Sequence, residues 1–396
     1  MTERYNRCIH DTLFWILDRP SRDDGFLDTK VNPITGADYD EQSGFRGPDY
    51  TYGWIQGRGL EALTAFARYF QDSEPGLSTR LIQRARPLYD ALASLHSRDG
   101  HVYFLYDDKM QAVRLSTTGL APQLPADFIY TYSDAFAAKG LFSAACLFDP
   151  DQVRCYQTYL VDVITAIEDH RFQMDESEVL SEVAIQAEAV DFGPRMILLG
   201  AAGLLHRNNC SNTTAFADRF ISDVIERHLQ PKTNLLLNAP GQDVCNIGHA
   251  VEFCGFAFEH LLMNSEQNLI SRLENILISS LELGMMGPGI ALSVSASSGK
   301  ALSPYYPWWS LPETIRACAL GMQLTGSDRL LPYLQQSDAV FFDRYWRPEK
   351  RFAYQTRTVD GPVDFVPATP DLDPGYHTGL SLLAAIKSIN VMQQSH

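Results

Sequence analysis

Apolar residues recur along this chain at helical spacing almost from end to end. In residues 56–72, QGRGLEALTAFARYFQD, the apolar positions Leu60, Leu63, Ala67 and Phe70 fall at i, i+3, i+7 and i+10, one face of a helix. Comparable periodicity covers 3–18, 78–96, 133–148, 151–168, 194–206, 213–228, 247–263, 267–284, 309–324, 328–345 and 376–392, so about twelve helices are expected. Extended segments are short. HVYFLYDD is one, and RFAYQTRTVDGPVDFV is another, with a D-G turn between apolar runs that predicts a small hairpin.

Long and short links alternate between these segments, which predicts helix hairpins. Five hairpins occupy the middle, and the first and last helices remain to pair with each other. An unusual residue opens each unit: Arg58, Asp134, Arg195, His249, Trp309 and His377, spaced 76, 61, 54, 60 and 68 residues apart. The units share no sequence identity, so the repeat is structural. A closed ring of six such pairs brings the helix starts together at one end. The expected fold is therefore an all-α (α/α)6 barrel with an axial cleft, spanning 1–396 as one domain. The competing arrangement is an open solenoid. It has shorter, more regular repeats and does not gather Trp, His and Arg at one end of each unit.

Composition removes several functions. The chain has 396 residues, 32 basic and 48 acidic, for a formal charge of −16 with no offsetting basic block, which argues against nucleic acid and anionic membrane. No apolar run approaches the roughly 18 residues of a membrane span. The opening MTERYNRCIHDTLFWILDRP carries charges through its apolar stretch and reads as a helix, so a cytoplasmic location is expected. Seven scattered cysteines without a C-x-x-C pair read as buried apolar residues.

The segment CNIGHAVEFC, 245–254, tests the metal alternative. On a helix Cys245 and Cys254 are about 900° apart at 100° per residue and point to opposite sides. The H-A-V-E-F run also lacks the second histidine of the helical zinc motifs. No metal is expected, and no cofactor: dinucleotide, P-loop and nucleophile-elbow motifs are missing from the sequence. What the segment does supply is His249 and Glu252 at i and i+3, on one side of a helix.

His377, after DLDPGY, opens the last helix, and a closed ring would bring it to His249. Two histidines across a cleft suit removal of a proton beside a carbonyl and its return elsewhere. Arg58 is a donor for the oxygen that gains charge in an enediolate. Glu313 is either a helix-start carboxylate or an active-site acid. Aromatic residues cluster at the same helix starts, Tyr52 and Trp54, Trp308 and Trp309, and Tyr376, where flat rings form walls for a sugar.

The runs WIQGRGLEAL, YSDAFAAKGL, GHAVEF, PWWSLPE and GYH resemble, in order and spacing, the N-acylglucosamine 2-epimerase family, across about residues 50 to 385. That family includes N-acylglucosamine and cellobiose 2-epimerases and mannose-type aldose–ketose isomerases. The resemblance implies the (α/α)6 barrel and a cofactor-free sugar epimerase or isomerase. In it, His249 and His377 act as acid and base, and Arg58 and Glu252 support the sugar and the enediolate. Glu313, Trp308 and Trp309 would line the pocket with Tyr52, Trp54, Tyr376 and Asp134. The chain departs from the family at Ile197 and Gly200, where isomerases and cellobiose epimerases carry histidine and glutamate, and at Leu380, where arginine is common. The expected partner is a small sugar, with a homodimer left open. Two alternatives stand: a glycoside hydrolase or lyase on the same barrel, using Asp134 and Glu313, and a sugar-binding member without catalysis.

Overall fold

The computed structural model describes residues 1–396 except 117–118, 126–127, 211–212, 264–265 and 395–396. The apolar periodicity becomes helices with few changes of boundary: α1 (Thr2–Asp18), α2 (Gly53–Tyr69), α3 (Pro75–Asp99), α4 (Tyr132–Phe148), α5 (Val153–Glu168), α6 (Glu182–Ala187), α7 (Gly193–Arg207), α8 (Ala215–His228), α9 (Ile247–Leu261), α10 (Gln267–Gly284), α11 (Ser310–Thr325), α12 (Leu331–Val340) and α13 (Ser381–Gln394). The expected 328–345 helix is divided into a 3-10 turn, α12 and a wider π-type turn over Phe341–Tyr345. The last expected helix likewise begins with a π-type turn, Tyr376–Leu380, before α13. The short α6 has too little periodicity to be read from the sequence.

Helices α2, α4, α7, α9, α11 and α13 form an inner ring, each packed on the next, and the Tyr376–Leu380 turn closes the ring against α2. Their outer partners are α3, α5, α8, α10, α12 and α1, so the first and last helices do pair. The fold is an (α/α)6 barrel. The inner helices are apolar on nearly every side, as expected of helices buried between a core and an outer layer: in α4 every residue from Ser133 to Ala145 is buried. One continuous apolar core runs between the rings.

Close approach of α2 and α4 rests on two glycines. A Cβ on Gly57 would stand 2.5 Å from the Phe136 carbonyl carbon, and one on Gly140 would stand 2.5 Å from the Gly57 oxygen. The backbones therefore touch, and this contact brings Arg58 onto the Phe136 ring.

The expected extended segments are short strand pairs in the links. In the final one, Thr356–Thr358 pairs with Gly361–Pro362, so the D-G signal marks a true hairpin. Only Leu105–Tyr106 of HVYFLYDD is a strand, and it joins a four-stranded antiparallel sheet with Thr51–Tyr52, Ala112–Ser116 and Gly119–Pro122. All seven cysteines are free thiols, including the buried Cys245 and Cys254. Among the described residues no helix is long and apolar enough to cross a membrane.

Candidate active site

Most of the candidate residues sit on the first two turns of the inner helices, at one end of the barrel. Asn246 caps α9: its side chain accepts the His249 N–H at 3.2 Å, which fixes His249 on the first turn. The second turn carries Glu252, 1% exposed. In DPGYH, the Asp373 carboxylate accepts the N–H groups of Tyr376, His377 and Thr378 at 2.9, 3.1 and 2.8 Å. Gly375 before them has φ 86°, a left-handed conformation that glycine adopts without strain. This turn projects His377 inward beside α11.

The α11 start supplies Glu313, whose Oε1 takes the His377 Nδ1 proton at 2.9 Å. A carboxylate can only accept here, so the neutral imidazole keeps its lone pair on Nε2. On its other side Glu313 meets Arg316 Nη2 at 2.5 Å. Burial alone would raise the Glu313 carboxyl, but Arg316 and His377 outweigh it and hold it below the ordinary value. Glu252 moves the opposite way. Burial first, and the Glu313 charge second, push it up against the pull of His377, Arg316 and Arg58. Two neighbouring carboxyls thus have their affinities for protons driven apart.

Trp309 stands between the histidines, its ring 5.8 Å from His249 and 5.5 Å from His377, centre to centre. Gly248 permits this, since a Cβ there would come within 2.3 Å of the indole. His249 Nδ1 is buried without a hydrogen-bond partner among the described residues. Burial lowers the His249 pKa, opposed by Asp191 and helped by His377 and Arg58, so the ring is neutral at neutral pH.

Arg58, on the second turn of α2, has no ion pair among the described residues. Its guanidinium instead lies over three rings, Phe136 at 4.1 Å, Trp54 at 4.9 Å and Tyr376 at 5.3 Å. Its sequence neighbour Glu61 pairs with Lys139 at 3.1 Å, and the Lys139 ammonium donates to the Tyr376 hydroxyl at 2.5 Å. Trp308 is buried, edge-on to His377, with its indole N–H directed to Thr378 at 3.3 Å.

Two candidates stand apart from this group. Asp134 caps its own helix: its carboxylate accepts from the backbone of Thr131 and Val102, from the Tyr159 hydroxyl and from His101. With those partners it has no free lone pair for a sugar. Tyr52 packs with Ile55 and Leu105 in a satellite cluster, its hydroxyl donating to the Phe45 carbonyl at 3.1 Å. Arg195, the third anchor, pairs with Asp223 on α8 at 3.0 Å.

Arg316 and Lys139 are not among the candidates read from the sequence. Both carried a signal: Glu313 and Arg316 are an i, i+3 acid–base pair, and Lys139 is a lone charge in the apolar run AFAAKGLFSAA. Glu252, Glu313 and His377 bring ligand atoms within 4.8 Å of one another, a spacing a metal ion would accept. The donor set fits a cation poorly, however. Arg316 already neutralises Glu313, and His377 Nδ1 is engaged with the same carboxylate.

No family model matches the chain, and no curated protein matches it by sequence. Solved structures do. The chain is similar to cellobiose 2-epimerase from Bacillus thermoamylovorans B4167, with TM-score 0.74 and 16% identity over 98% of this chain and 100% of that one. It is also similar to a D-mannose isomerase, with TM-score 0.73 and 12% identity over 98% of this chain and 97% of the other. A family 76 glycoside hydrolase from a bovine Bacteroides thetaiotaomicron strain aligns at TM-score 0.56 and 10% identity, over 97% of this chain and 77% of that one. At such identities the likeness is one of fold: this chain has the (α/α)6 barrel on which sugar epimerases, sugar isomerases and glycoside hydrolases are built.

Proposed function

We propose that the protein is a carbohydrate epimerase or isomerase that moves a proton at C2 of an open-chain sugar, in the manner of the N-acylglucosamine 2-epimerase family. The observation that carries this reading is the pair of histidines on either side of Trp309, one neutral through burial and the other backed by a carboxylate. In the proposed cycle the neutral His249 takes the C2 proton. The electron pair moves onto the carbonyl oxygen, and Arg58 neutralises the resulting enediolate. His377 enters the cycle as the imidazolium, its charge balanced by Glu313, and delivers the Nε2 proton. Delivery to the opposite face of C2 restores the carbonyl as the epimer; delivery to C1, with the O2 hydroxyl proton passing to O1, gives the ketose. Proton exchange with solvent then returns His249 to the neutral form and His377 to the imidazolium. Arg58 suits its role because it forms no ion pair among the described residues, and its charge is desolvated before the sugar arrives. Arg316 brings a guanidinium to the cluster in a chain that has Leu380 where arginine was expected.

A hydrolase on this barrel needs carboxyl groups flanking a glycosidic bond, about 5 Å or more apart. Glu252 and Glu313 are neighbours, and Glu313 is already engaged by Arg316 and His377. Asp134, the other candidate acid, is occupied as a cap. The reading is tested by proton NMR on mannose, glucose, fructose, N-acetylmannosamine, N-acetylglucosamine and cellobiose incubated with the protein. The expected outcome is an epimer or ketose from one of them, with the number of reducing ends unchanged. Release of a second reducing end from cellobiose would replace this reading with hydrolysis.

A further inference from the structure

A cavity of about 530 Å³ opens at the end of the inner ring away from the histidines. It takes its walls from the inner helices, beyond the turns that carry the candidate residues. Ala65 and Arg68 come from α2, Leu204 and Arg207 from α7, Leu320 and Gln323 from α11, and Leu383 and Lys387 from α13. Its inner end is closed by Glu61, Arg316, Phe256 and Tyr376, which separate it from His249 and His377. The volume falls within the range of small-molecule sites.

The chemistry of the walls is graded. The middle is apolar, with Leu204, Leu320, Leu380, Leu383 and Phe256. Gly200 and Leu380, two of the three departures from the family pattern, both face this space, so the axis here lacks the charged side chains expected at those positions. The mouth is cationic in a chain of net charge −16. Its rim includes Arg207, whose side chain is 45% exposed and pairs with Glu259. Arg68 bonds to the neutral Asn208 amide and meets the Cys146 thiol, and Lys387 lies 5.7 Å from the Tyr69 ring centre; neither has an ion pair among the described residues. The Lys387 ammonium is pushed down from its ordinary value by desolvation first and by Arg207 second, against Glu259. Deep inside, Arg316 is 5% exposed and its Nε has no hydrogen-bond partner among the described residues. Two uncompensated cations beside an apolar channel, with a buried unpartnered donor at its end, form a site for a ligand of opposite charge and matching apolarity.

We propose that this cavity binds an amphipathic organic anion, its apolar body between Leu204, Leu320 and Leu383 and its carboxylate or phosphate against Arg68 and Lys387. The site is distinct from the histidine cluster and shares with it only the partition residues. The proposal stands apart from the sugar reading, because binding is measured in place of turnover.

Isothermal titration of the full chain with octanoate, octyl phosphate and octanol tests it. Expected is one site per chain for at least one of the anions, with octanol weaker by about tenfold or more. Which anion binds identifies the head group. Lys387→Glu reverses the mouth charge and should weaken anion binding by a further tenfold or more. Ala384→Phe, which fills the channel, should abolish it. Thermal melts followed by circular dichroism confirm that each variant is folded. Lys387→Glu alone decides the matter if Ala384→Phe does not fold. Equal binding of octanol and the anions, unchanged binding in folded Lys387→Glu, or no binding of either anion would overturn the proposal.

Discussion

Replacing Glu313 by glutamine separates the two things its carboxylate does. The side chain keeps its shape and an oxygen that can still accept from His377 Nδ1, but it loses the charge facing Arg316 at 2.5 Å. The two side chains are 1% and 6% exposed, so Arg316 becomes a buried cation without its partner. Removing one member of a buried pair typically costs about 3–5 kcal/mol. Glu252 remains nearby and the Phe256 ring lies 4.0 Å beneath the guanidinium, so the lower end, about 3 kcal/mol, is expected here. With an unfolding entropy of about 2.1 cal/mol/K per residue, a chain of 396 residues has roughly 0.8 kcal/mol/K in total, and the melt should fall by about 4 °C. Turnover should fall far more. The imidazolium of His377 loses its stabilising charge, and general acid–base contributions are about 10²–10⁴-fold, expressed in kcat with KM nearly unchanged. The double variant Glu313→Gln/Arg316→Met removes the stranded cation and should recover most of the melting temperature while recovering none of the rate. A single variant within about threefold of the parent rate, or a double variant no more stable than the single, would refute the ion-pair reasoning.

Three further outcomes follow from other parts of the structure. Because burial, His377 and Arg58 lower the His249 pKa below its ordinary value of about 6.5, the acid limb of kcat/KM should lie below pH 6.5; a limb above it would contradict His249 as the base. Gly248→Ala places a Cβ within 2.3 Å of the Trp309 indole, so it should cost about 1–3 kcal/mol in a denaturant titration and reduce kcat by displacing the ring between the histidines. Glu176, accepting from the Ser133 N–H and hydroxyl at the start of α4, has its carboxyl pushed up to about 8 by burial. A carboxyl raised on folding holds its proton better in the folded state, so stability falls as pH rises from about 4.5 to 8, with a ceiling of roughly 5 kcal/mol. Glu176→Gln should flatten that slope in urea titrations across the same range, and an unchanged slope would assign it to other groups.

The ring was legible because its signals are local. Helical periodicity and the glycine and proline punctuation of 246–249, 307–313 and 373–377 are properties of short windows, and each marked an inner-helix start. Closure followed from counting hairpins. The pairing across the barrel was not legible, because it joins residues far apart in sequence: His377 with Glu313, Lys139 with Glu61, and Arg58 with Phe136. Asp134 illustrates a local ambiguity. An acid three residues into a helix is an active-site acid or a cap with equal economy in sequence, and only the positions of His101, Val102 and Tyr159 distinguish the two. Tyr52 looked equivalent to Trp54, and both rings pack on Phe104, yet it is Trp54 that also stacks on Phe136 beneath Arg58. The cavity at the far end of the barrel had no sequence signal beyond the small residue at 200 and the apolar one at 380, since its cations lie on three separate helices.

The most direct measurement is solvent deuterium incorporation, at C2 of an epimer or at C1 of a ketose, when the sugar that the protein converts is incubated with it in D2O. The predicted result is deuterium at that carbon of the product, with incorporation and conversion both falling by at least about 10² in His249→Ala and in His377→Ala. A product without deuterium at that carbon, or variants that convert sugar at the parent rate, would contradict proton transfer by this histidine pair.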